Sequence, residues 1–459
     1  MKESPYRVEY DSMGSIQVPE WAKWGAHTQR ALQNFSVSPY KIHPEMRNAL
    51  ALIKLAAAGA HQRSGSLSEE VASAIQSAAN EVMTGKLDAH FPLDVFQTGS
   101  GTSWNMNMNE VLAYRGKEFL QGRETIHPND HVNRGQSSND VIPAAGNIAA
   151  RITAGTLCAS LKSLAVAIEQ KGIEYSGSLK LGRTHLQDAV PMRVSQEFGA
   201  WAEQIRRSAE RITQQLPALE ELPLGGTAVG TGLNSSADWA SQVAEGIAAH
   251  SSIPFRCSTN PFVQISARDE QLSLMGALNG TAVVLMKIAQ DFRLLSSGPR
   301  AGLAELELPE LQPGSSIMPG KVNPVIPEMV IQAAAFVMGK QTSVSIAAQN
   351  APLQLNIMQP LISHEVLTSL ELLSRVAGRF ETECVRGVKV PTTHTAEAIE
   401  KSLALITPLA VRIGYDAAAA LAHKAFYEGK TVRQVVLDEG VLSPAEADEI
   451  LDPEKMCGK

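Results

Sequence analysis

Apolar side chains recur along most of the chain at the three- and four-residue spacing of an α-helix. After Val194 the apolar positions Phe198, Trp201, Ile205 and Ile212 line one face of such a helix. We find no convincing hairpin pattern that interrupts this periodicity. The chain is therefore predicted to be all-α.

A longer stripe predicts a helix of roughly 30 residues, which is longer than most globular helices and typical of bundles. Its apolar positions are Leu274, Leu278, Leu285, Ile288, Phe292 and Leu295. Gly276 and Gly280 lie in the same stretch. Because glycine has no side chain, these two positions suggest close contacts between helices.

Local signals mark one further helix and the loops. Ser66 and Glu69 form a predicted capping box ahead of a stripe that starts at Val71, and Gly85 is placed to end that helix. Binding and catalytic groups are disproportionately carried by loops, so we expect function where turn residues concentrate. These loops are 99–109, 127–140, 182–191, 225–234 and 309–327.

Two weak boundary signals in the sequence divide the chain into three predicted domains. A polar loop ends near Asn139, and Pro391 with two threonines precedes a last set of short helices. We predict an N-terminal helical domain with substrate loops at 1–138, a central long-helix bundle domain at 139–392, and a small C-terminal helical domain at 393–459. A chain of 459 residues with 44% hydrophobic content can bury cores of this size.

The charge balance argues against polyanionic partners. Forty Lys and Arg residues against 47 Asp and Glu residues give a formal net charge of -7. We therefore expect no nucleic acid and no membrane as partners, because there is no global basic field to attract them. A small anionic substrate would need a local positive site instead.

The four cysteines indicate neither a disulfide framework nor a metal centre. Cys158, Cys257, Cys384 and Cys457 lie far apart, without a C-x-x-C pair or a Cys/His cluster at metal spacing. Neither a P-loop nor a Rossmann spacing occurs, so we expect no cofactor and no metal. The first residues lack the apolar region of a signal peptide, and we predict a cytoplasmic protein.

The loop G-S-S-I-M-P-G-K-V-N-P at 314–324 is the most informative stretch for chemistry. Asn323 before Pro324 predicts an N-cap and the first residue of a helix. Lys321 would then lie beside the positive end of that helix. Its ammonium, the loop N–H groups and the helix dipole would together hold a carboxylate and stabilise additional charge on it. The alternative is an ordinary polar loop before a helix.

A second loop, G-R-T-H-L-Q-D at 182–188, places His185 in a predicted turn. Histidine is the side chain best suited to proton transfer near neutral pH. Glu328, in the first turn of the helix after Asn323, is a candidate to orient the imidazole. For a single loop histidine, a solvent-facing or structural role is the alternative.

Two more loops are rich in short hydrogen-bonding side chains. They are Q-T-G-S-G-T-S-W-N at 97–105 and N-R-G-Q-S-S-N-D at 133–140. Hydroxyl and amide groups beside glycines suit the recognition of a small oxyanion. Turns and helix caps built from the same residue types are the alternative for each loop taken alone.

Together these segments resemble the fumarase/aspartase superfamily, and within it the class II fumarases. The run at 314–324 matches the signature of the family and is its most specific element. Supporting matches are Q-T-G-S-G-T at 97–102, H-P-N-D at 127–130, Q-S-S-N-D at 136–140, G-R-T-H-L-Q-D-A at 182–189 and G-G-T-A-V-G-T-G-L-N at 225–234. The resemblance covers nearly the whole chain.

The resemblance implies a three-domain, all-α protomer whose long central helices form a twenty-helix core in a homotetramer. It implies active sites built by loops from three subunits, a small dicarboxylate substrate and no cofactor. The implied reaction is the reversible hydration of fumarate to L-malate through an aci-carboxylate intermediate.

Residue roles follow from the same resemblance. Ser315 is expected to be the catalytic base, His185 paired with Glu328 to handle water, and Lys321 to stabilise charge. The implied substrate shell comprises Ser100, Thr102, Ser137, Ser138, Asn139, Thr184, Ser316, Lys321 and Asn323. A second, non-catalytic dicarboxylate site is implied at His127, Pro128, Asn129 and Asp130.

Several positions depart from the usual fumarase text, and two other substrates stay open. The departures are Val263-Gln264, Gly339-Lys340-Gln341, Pro352-Leu353-Gln354-Leu355-Asn356 and Glu124. Aspartate, with ammonia as the leaving group, is one alternative, because the L-Q-L-N run at 353–356 is also aspartase-like. A methyl-substituted fumarate such as mesaconate is the other. A binding protein that only kept the scaffold is the non-enzymatic alternative.

Overall fold

The computed structural model describes residues 5–458, which form seventeen α-helices and six short strands. The helices up to the middle of the chain are α1 (Ala26–Asn34), α2 (Pro44–Arg63), α3 (Glu69–Met83), α4 (Thr102–Leu120), α5 (Ser138–Glu174), α6 (Val194–Thr213), α7 (Leu216–Leu219), α8 (Ala237–Ser251) and α9 (Pro261–Ser266). The others are α10 (Asp269–Leu295), α11 (Val325–Gln349), α12 (Gln359–Glu383), α13 (Thr392–Lys401), α14 (Thr407–Ile413), α15 (Tyr415–Glu428), α16 (Val432–Asp438) and α17 (Pro444–Ile450). The strands are β1 (Tyr6–Asp11), β2 (Gly14–Pro19), β3 (Leu179–Thr184), β4 (Gln187–Arg193), β5 (Glu221–Leu222) and β6 (Arg256–Cys257).

Two compact units contain the described chain. The first comprises the residues up to Cys158, Glu210–Gly280 and Phe336–Leu373, and the second comprises Ala159–Ala209, Thr281–Ala335 and the residues from Ser374 onward. The long helices α5, α10, α11 and α12 each contribute residues to both units. The predicted division at 138 and 392 stays a prediction.

In the first unit, the N-cap of α3 lies two residues later than the sequence prediction. Ser68, and not Ser66, is the N-cap, and its hydroxyl accepts a hydrogen bond from the Val71 N–H at 3.2 Å. The predicted capping box of Ser66 and Glu69 is therefore wrong, because the serine that accepts from the first turn of the helix is Ser68. Gly85 lies just beyond the helix end with φ +79°, as expected for a C-terminal glycine.

The predicted helical stripes are confirmed. α6 contains the apolar stripe that begins at Phe198, and α10 is the predicted long helix with 27 residues. In the second unit the Phe292 ring packs 5.0 Å from that of Trp201 and 5.2 Å from that of Phe380. Burial of each ring stabilises this core by roughly 1.5–3 kcal/mol.

α10 has one feature that its sequence did not predict. No atom of the described chain lies within 4 Å of a Cβ built on Gly276, and only the Arg211 side chain, at 3.9 Å, approaches one on Gly280. Among residues 5–458, Gly276 therefore lacks the expected close contact, and Gly280 has only an ordinary van der Waals contact with a side chain of α6. α5 and α10 are also long and apolar enough to cross a membrane by length and composition, but half of each apolar window is buried, and core helices pass the same test.

Two β-hairpins interrupt the helical pattern, contrary to the sequence prediction. β1 pairs antiparallel with β2, and β3 pairs antiparallel with β4. Strand β1, Y-R-V-E-Y-D, does alternate apolar and polar residues, and this was the missed signal. β3 lies against α13, and Leu181 of this strand is part of the small apolar core formed by the last helices. The C-terminal helices thereby support the hairpin that carries His185.

Candidate active site

The 314–324 loop folds back on itself in the second unit. The Gly314 N–H donates to the Lys321 carbonyl at 2.9 Å, and the Asn323 side-chain amide donates to the Gly314 carbonyl at 2.6 Å. A Cβ on Gly314 would lie 2.2 Å from the Lys321 carbonyl oxygen. Glycine is therefore required at 314 for this close approach.

Ser315 occupies a turn in which its hydroxyl acts as an acceptor. The Ser315 Oγ accepts hydrogen bonds from the Ile317 N–H at 3.2 Å and from the Met318 N–H at 3.0 Å. Two backbone donors on one hydroxyl oxygen favour negative charge on that oxygen. This arrangement is a physical means of activating a serine, which the sequence alone did not reveal.

The helix after this loop begins one residue later than predicted. α11 starts at Val325, and the Pro324 carbonyl accepts the first helical hydrogen bond, from the Glu328 N–H at 3.1 Å. Asn323 is therefore not the N-cap, since its side chain bonds Gly314 instead. Lys321 and Ser316 are both exposed to solvent in the isolated subunit.

His185 lies at the tip of the β3–β4 hairpin. Thr184 pairs with Gln187, and the two residues between them, His185 and Leu186, have φ of +55° and +62°. Positive φ at both central positions is the conformation of a type I′ turn, and it is strained for residues other than glycine, asparagine or aspartate. Strain at a turn that projects a titratable side chain is typical of functional positions.

A buried carboxylate holds this hairpin. Glu305, which is 2% exposed, forms an ion pair with Arg183 and lies 3.1 Å from the Lys180 ammonium, so both cations of β3 face one carboxylate. Lys180 also donates to Glu197 at 2.7 Å. Glu305 carries no local sequence signal, because its partners are more than a hundred residues away in the chain.

The predicted His185–Glu328 pair is not formed within the described part of this subunit. Residues 5–458 contain no hydrogen bond or ion pair between the two side chains. Thr184 and His185 are exposed at the hairpin tip. The pairing stays a prediction, and under the shared-site model it would form between subunits.

In the first unit, the 97–105 loop brings Ser100 and Thr102 together. Their hydroxyl oxygens are 2.7 Å apart, and Thr102 is the first residue of α4. The Gln359 N–H donates to the Gly99 carbonyl at 3.0 Å, and a Cβ on Gly99 would lie 1.8 Å from the Ile357 carbonyl oxygen. This close approach to the start of α12 fixes the loop.

The Ser137–Asn139 segment forms the start of α5 and is held by Asp140. The Asp140 carboxylate accepts hydrogen bonds from the N–H groups of Ser137, Gly225 and Thr227 at 2.9, 3.1 and 3.0 Å. The Asn139 amide donates to the carbonyl of Ala228 at 2.8 Å. The 225–234 loop, which matches the family but contains no predicted site residue, thus supports the predicted substrate residues.

The predicted second dicarboxylate site adjoins the same segment. His127 caps a single π-helical turn, Pro128–Val132, through a hydrogen bond from the Asp130 N–H to its Nδ1 at 3.2 Å. Asn129, Asp130 and Ser137 line one cavity of about 550 Å³. Two groups of predicted binding residues are therefore neighbours in this unit.

The part of the chain that the structure describes contains no evident set of metal ligands. Residues 5–458 contain no group of three or more His, Cys, Asp or Glu side chains placed to hold a metal ion. The four cysteines are free thiols, and three of them, Cys158, Cys384 and Cys457, are buried. The expectation of a cofactor-free protein stays a prediction.

Comparison with known proteins places these features in one family. Residues 14–339 match the lyase family model, and residues 405–458 match the model described as the fumarase C C-terminus. The chain is 45% identical over 455 residues to fumarate hydratase class II 1 of Pseudomonas aeruginosa, with 98% of each chain covered. It is also 45% identical over 459 residues to fumarate hydratase 1, mitochondrial, of Arabidopsis thaliana, with 99% of this chain and 93% of the relative covered.

Solved structures agree with these matches. A class II fumarase from Schistosoma mansoni has a TM-score of 0.95 at 39% identity, with 98% of this chain and 99% of that chain covered. A fumarate lyase:delta crystallin from Brucella melitensis, bound to cobalt, has a TM-score of 0.95 at 40% identity, with 99% and 100% covered. The predicted fold class is thereby confirmed.

Proposed function

Because the chain belongs to the lyase family of the class II fumarate hydratases, we propose that it is a hydro-lyase that interconverts fumarate and L-malate. The observation that carries this function is identity of 45% with fumarate hydratases over nearly the full length of both chains. The geometry of the Ser315 loop supports it, since two backbone N–H groups donate to the Ser315 hydroxyl oxygen and the same loop carries the exposed Lys321.

The difficult step is removal of the C3 proton of malate. A carbon-bound proton next to a carboxylate is weakly acidic, and its loss gives a doubly charged aci-carboxylate. In our proposal Ser315 reacts as its alkoxide, which the N–H groups of Ile317 and Met318 stabilise, and it becomes a neutral hydroxyl when it takes the C3 proton. Lys321 and Asn323 stabilise the charge that develops on the carboxylate.

The second step breaks the C2–O bond on the opposite face. His185, directly or through a water molecule, supplies a proton to the departing hydroxyl, which leaves as water while the double bond of fumarate forms. The type I′ turn presents the imidazole to solvent, where a partner loop has access to it. Glu328 of another subunit would orient the ring, since residues 5–458 of one chain contain no hydrogen bond or ion pair between the two side chains.

Substrate recognition falls to the hydroxyl- and amide-bearing residues. In our proposal the carboxylates bind to Ser100, Thr102, Ser137, Ser138, Asn139, Thr184 and Ser316. The cavity beside Asn129 and Asp130 would form the second dicarboxylate site, together with His127 and Pro128.

We also propose that the protein is located in the cytoplasm. One of its relatives, from Arabidopsis thaliana, is named as a mitochondrial protein.

We also propose the homotetramer with sites shared by three subunits. Large apolar side chains remain exposed along the long helices, which favours their burial by other subunits. They are Val166 and Ile173 of α5, Val283 and Leu294 of α10, and Phe336 and Ile346 of α11. The open surroundings of Gly276 agree with an approach by a neighbouring chain.

The deciding experiment follows the absorbance of unsaturated dicarboxylate formed from malate, aspartate and citramalate in parallel. We expect turnover with malate, and chelation by EDTA should leave it unchanged because Lys321 supplies the positive charge. Faster turnover of aspartate would instead identify an ammonia-lyase, and faster turnover of citramalate a hydratase of mesaconate. Activity that needs an added divalent ion would contradict the cofactor-free mechanism.

A further inference from the structure

A completely buried lysine lies beneath the predicted substrate loop of the first unit. Lys54 of α2 is 0% exposed, and its ammonium donates to the side-chain oxygens of Asn133 and Gln136, both at 2.9 Å. The orientation of these amides is fixed, because the Asn133 amide nitrogen donates to the Gln136 carbonyl and that of Gln136 donates to the Val132 carbonyl. Both amide oxygens must therefore face Lys54.

The hydrogen bonds of Lys54 continue to the substrate residues. The Asn133 oxygen also accepts from the Asn105 amide at 3.0 Å, and the same amide nitrogen lies 3.2 Å from the Ser138 hydroxyl oxygen, to which it donates. Gln136 directly precedes Ser137 in the chain. Lys54 is therefore connected to Ser138 through the side chains of Asn133 and Asn105, and to Ser137 through Gln136 and one peptide bond.

Asp140 completes this network on the other side of the loop. It is 0% exposed, and it accepts the three backbone N–H groups described above. Burial lowers the pKa of Lys54 to about 7, opposed by the nearby Asp140 carboxylate, and burial raises the pKa of Asp140 to about 6. The two groups thus balance each other's charge inside the unit.

A lysine that only filled space here would be unfavourable. Taking an ammonium out of water costs several kcal/mol, and a methionine of similar volume would pack without that cost. Both hydrogen bonds of the Lys54 ammonium go to the loop that precedes Ser137, to side-chain amide oxygens and not to a carboxylate. The buried ammonium of Lys54 is therefore better explained by its hydrogen bonds to the loop than by the packing of α2.

We propose that Lys54 is a positioning residue for the hydration reaction, which holds the 133–139 loop in the conformation that binds a substrate carboxylate. This inference rests on the proposed function and adds to it. Lys54 acts through Asn133 and Gln136 and does not itself contact substrate.

The test compares Lys54→Met with Lys340→Met in the purified full-length enzyme. Lys340 is a matched control, because it is also buried in the first unit and its ammonium pairs with Glu365 at 2.7 Å, without any link to the substrate loop. Lys54→Met should raise KM for malate and fumarate by about tenfold or more, with kcat reduced by less than about threefold. Lys340→Met should lower the Tm and leave KM unchanged.

A second variant keeps the proposal testable if Lys54→Met does not fold. Asn133→Ala removes the bridge to Asn105 and should raise KM in the same direction by a smaller factor. If wild-type enzyme hydrates fumarate and both variants keep its KM, Lys54 is a structural residue and the inference is wrong. If the wild-type enzyme itself does not act on fumarate or malate, the proposed function fails, and the inference fails with it.

Discussion

The proposed mechanism depends on the Ser315 hydroxyl more than on any other side chain. Ser315→Ala removes the proton acceptor and leaves the carboxylate contacts, so kcat should fall by at least about a hundredfold with a smaller change in KM. Lys321→Met removes a charge that contacts substrate in both the ground state and the transition state, so KM and kcat should change together. Steady-state kinetics of both variants distinguishes the two roles. Near wild-type kcat in Ser315→Ala would mean that another residue is the base, and His185 is then the candidate.

His364 of α12 gives the first unit a pH-dependent stability. Burial lowers the pKa of His364 to about 4, with Lys340 and His43 adding to the effect, and its ring packs 5.0 Å from that of Tyr40. The unfolded chain takes up this proton first as the pH falls below 6.5, so stability should decrease between pH 6.5 and about 4. His364→Phe should flatten this decrease in a series of Tm measurements.

The control for this series is His423→Phe, since His423 is an exposed histidine that also lies beside a tyrosine ring. It should keep the wild-type decrease in Tm. An equal flattening in both variants would show that the effect does not arise from the buried site of His364.

At the scale of secondary-structure elements, the β3–β4 hairpin depends on Glu305. Glu305→Gln leaves Arg183 and Lys180 without their shared carboxylate in a buried place, and loss of one partner of a buried ion pair typically costs about 3–5 kcal/mol. We expect a lower Tm and a lower kcat, because the turn that presents His185 is less firmly held.

Glu307→Gln is the matched control for the hairpin prediction. Glu307 is exposed two residues further along, and its side chain makes no hydrogen bond or ion pair within residues 5–458. This variant should keep both the Tm and the kcat of the wild-type enzyme. If Glu305→Gln behaves in the same way, the buried carboxylate does not hold the hairpin.

At the scale of the whole molecule, the shared-site model predicts complementation. Ser315→Ala and His185→Asn should each be nearly inactive alone. In mixed tetramers formed by joint refolding, a site that takes these two residues from different subunits is intact in about a quarter of random combinations. Light scattering should show a tetramer, and the mixture should regain a corresponding share of activity. No recovery in verified mixed tetramers would mean that both residues serve one site from the same chain.

Helices and candidate residues were largely predictable because their signals are local. The stripe from Phe198 to Ile212 and the long stripe of α10 each follow from the 3.6-residue period of one helix. The loop at 314–324 was recognisable for the same reason, since its glycines, prolines and Lys321 lie within eleven consecutive residues. Short hairpins gave a weaker signal, because six-residue strands contain few alternations to detect.

The sequence by itself determined the helical class and the family, and it supplied the candidate residues for the chemistry. Only the tertiary structure decided what holds those residues in place. Glu305 supports the His185 hairpin from 122 residues beyond Arg183, and Lys54 reaches Asn133 across 79 residues. Such partners leave no periodic trace, because a buried charge is stabilised by whatever the fold brings near it and not by its neighbours along the chain.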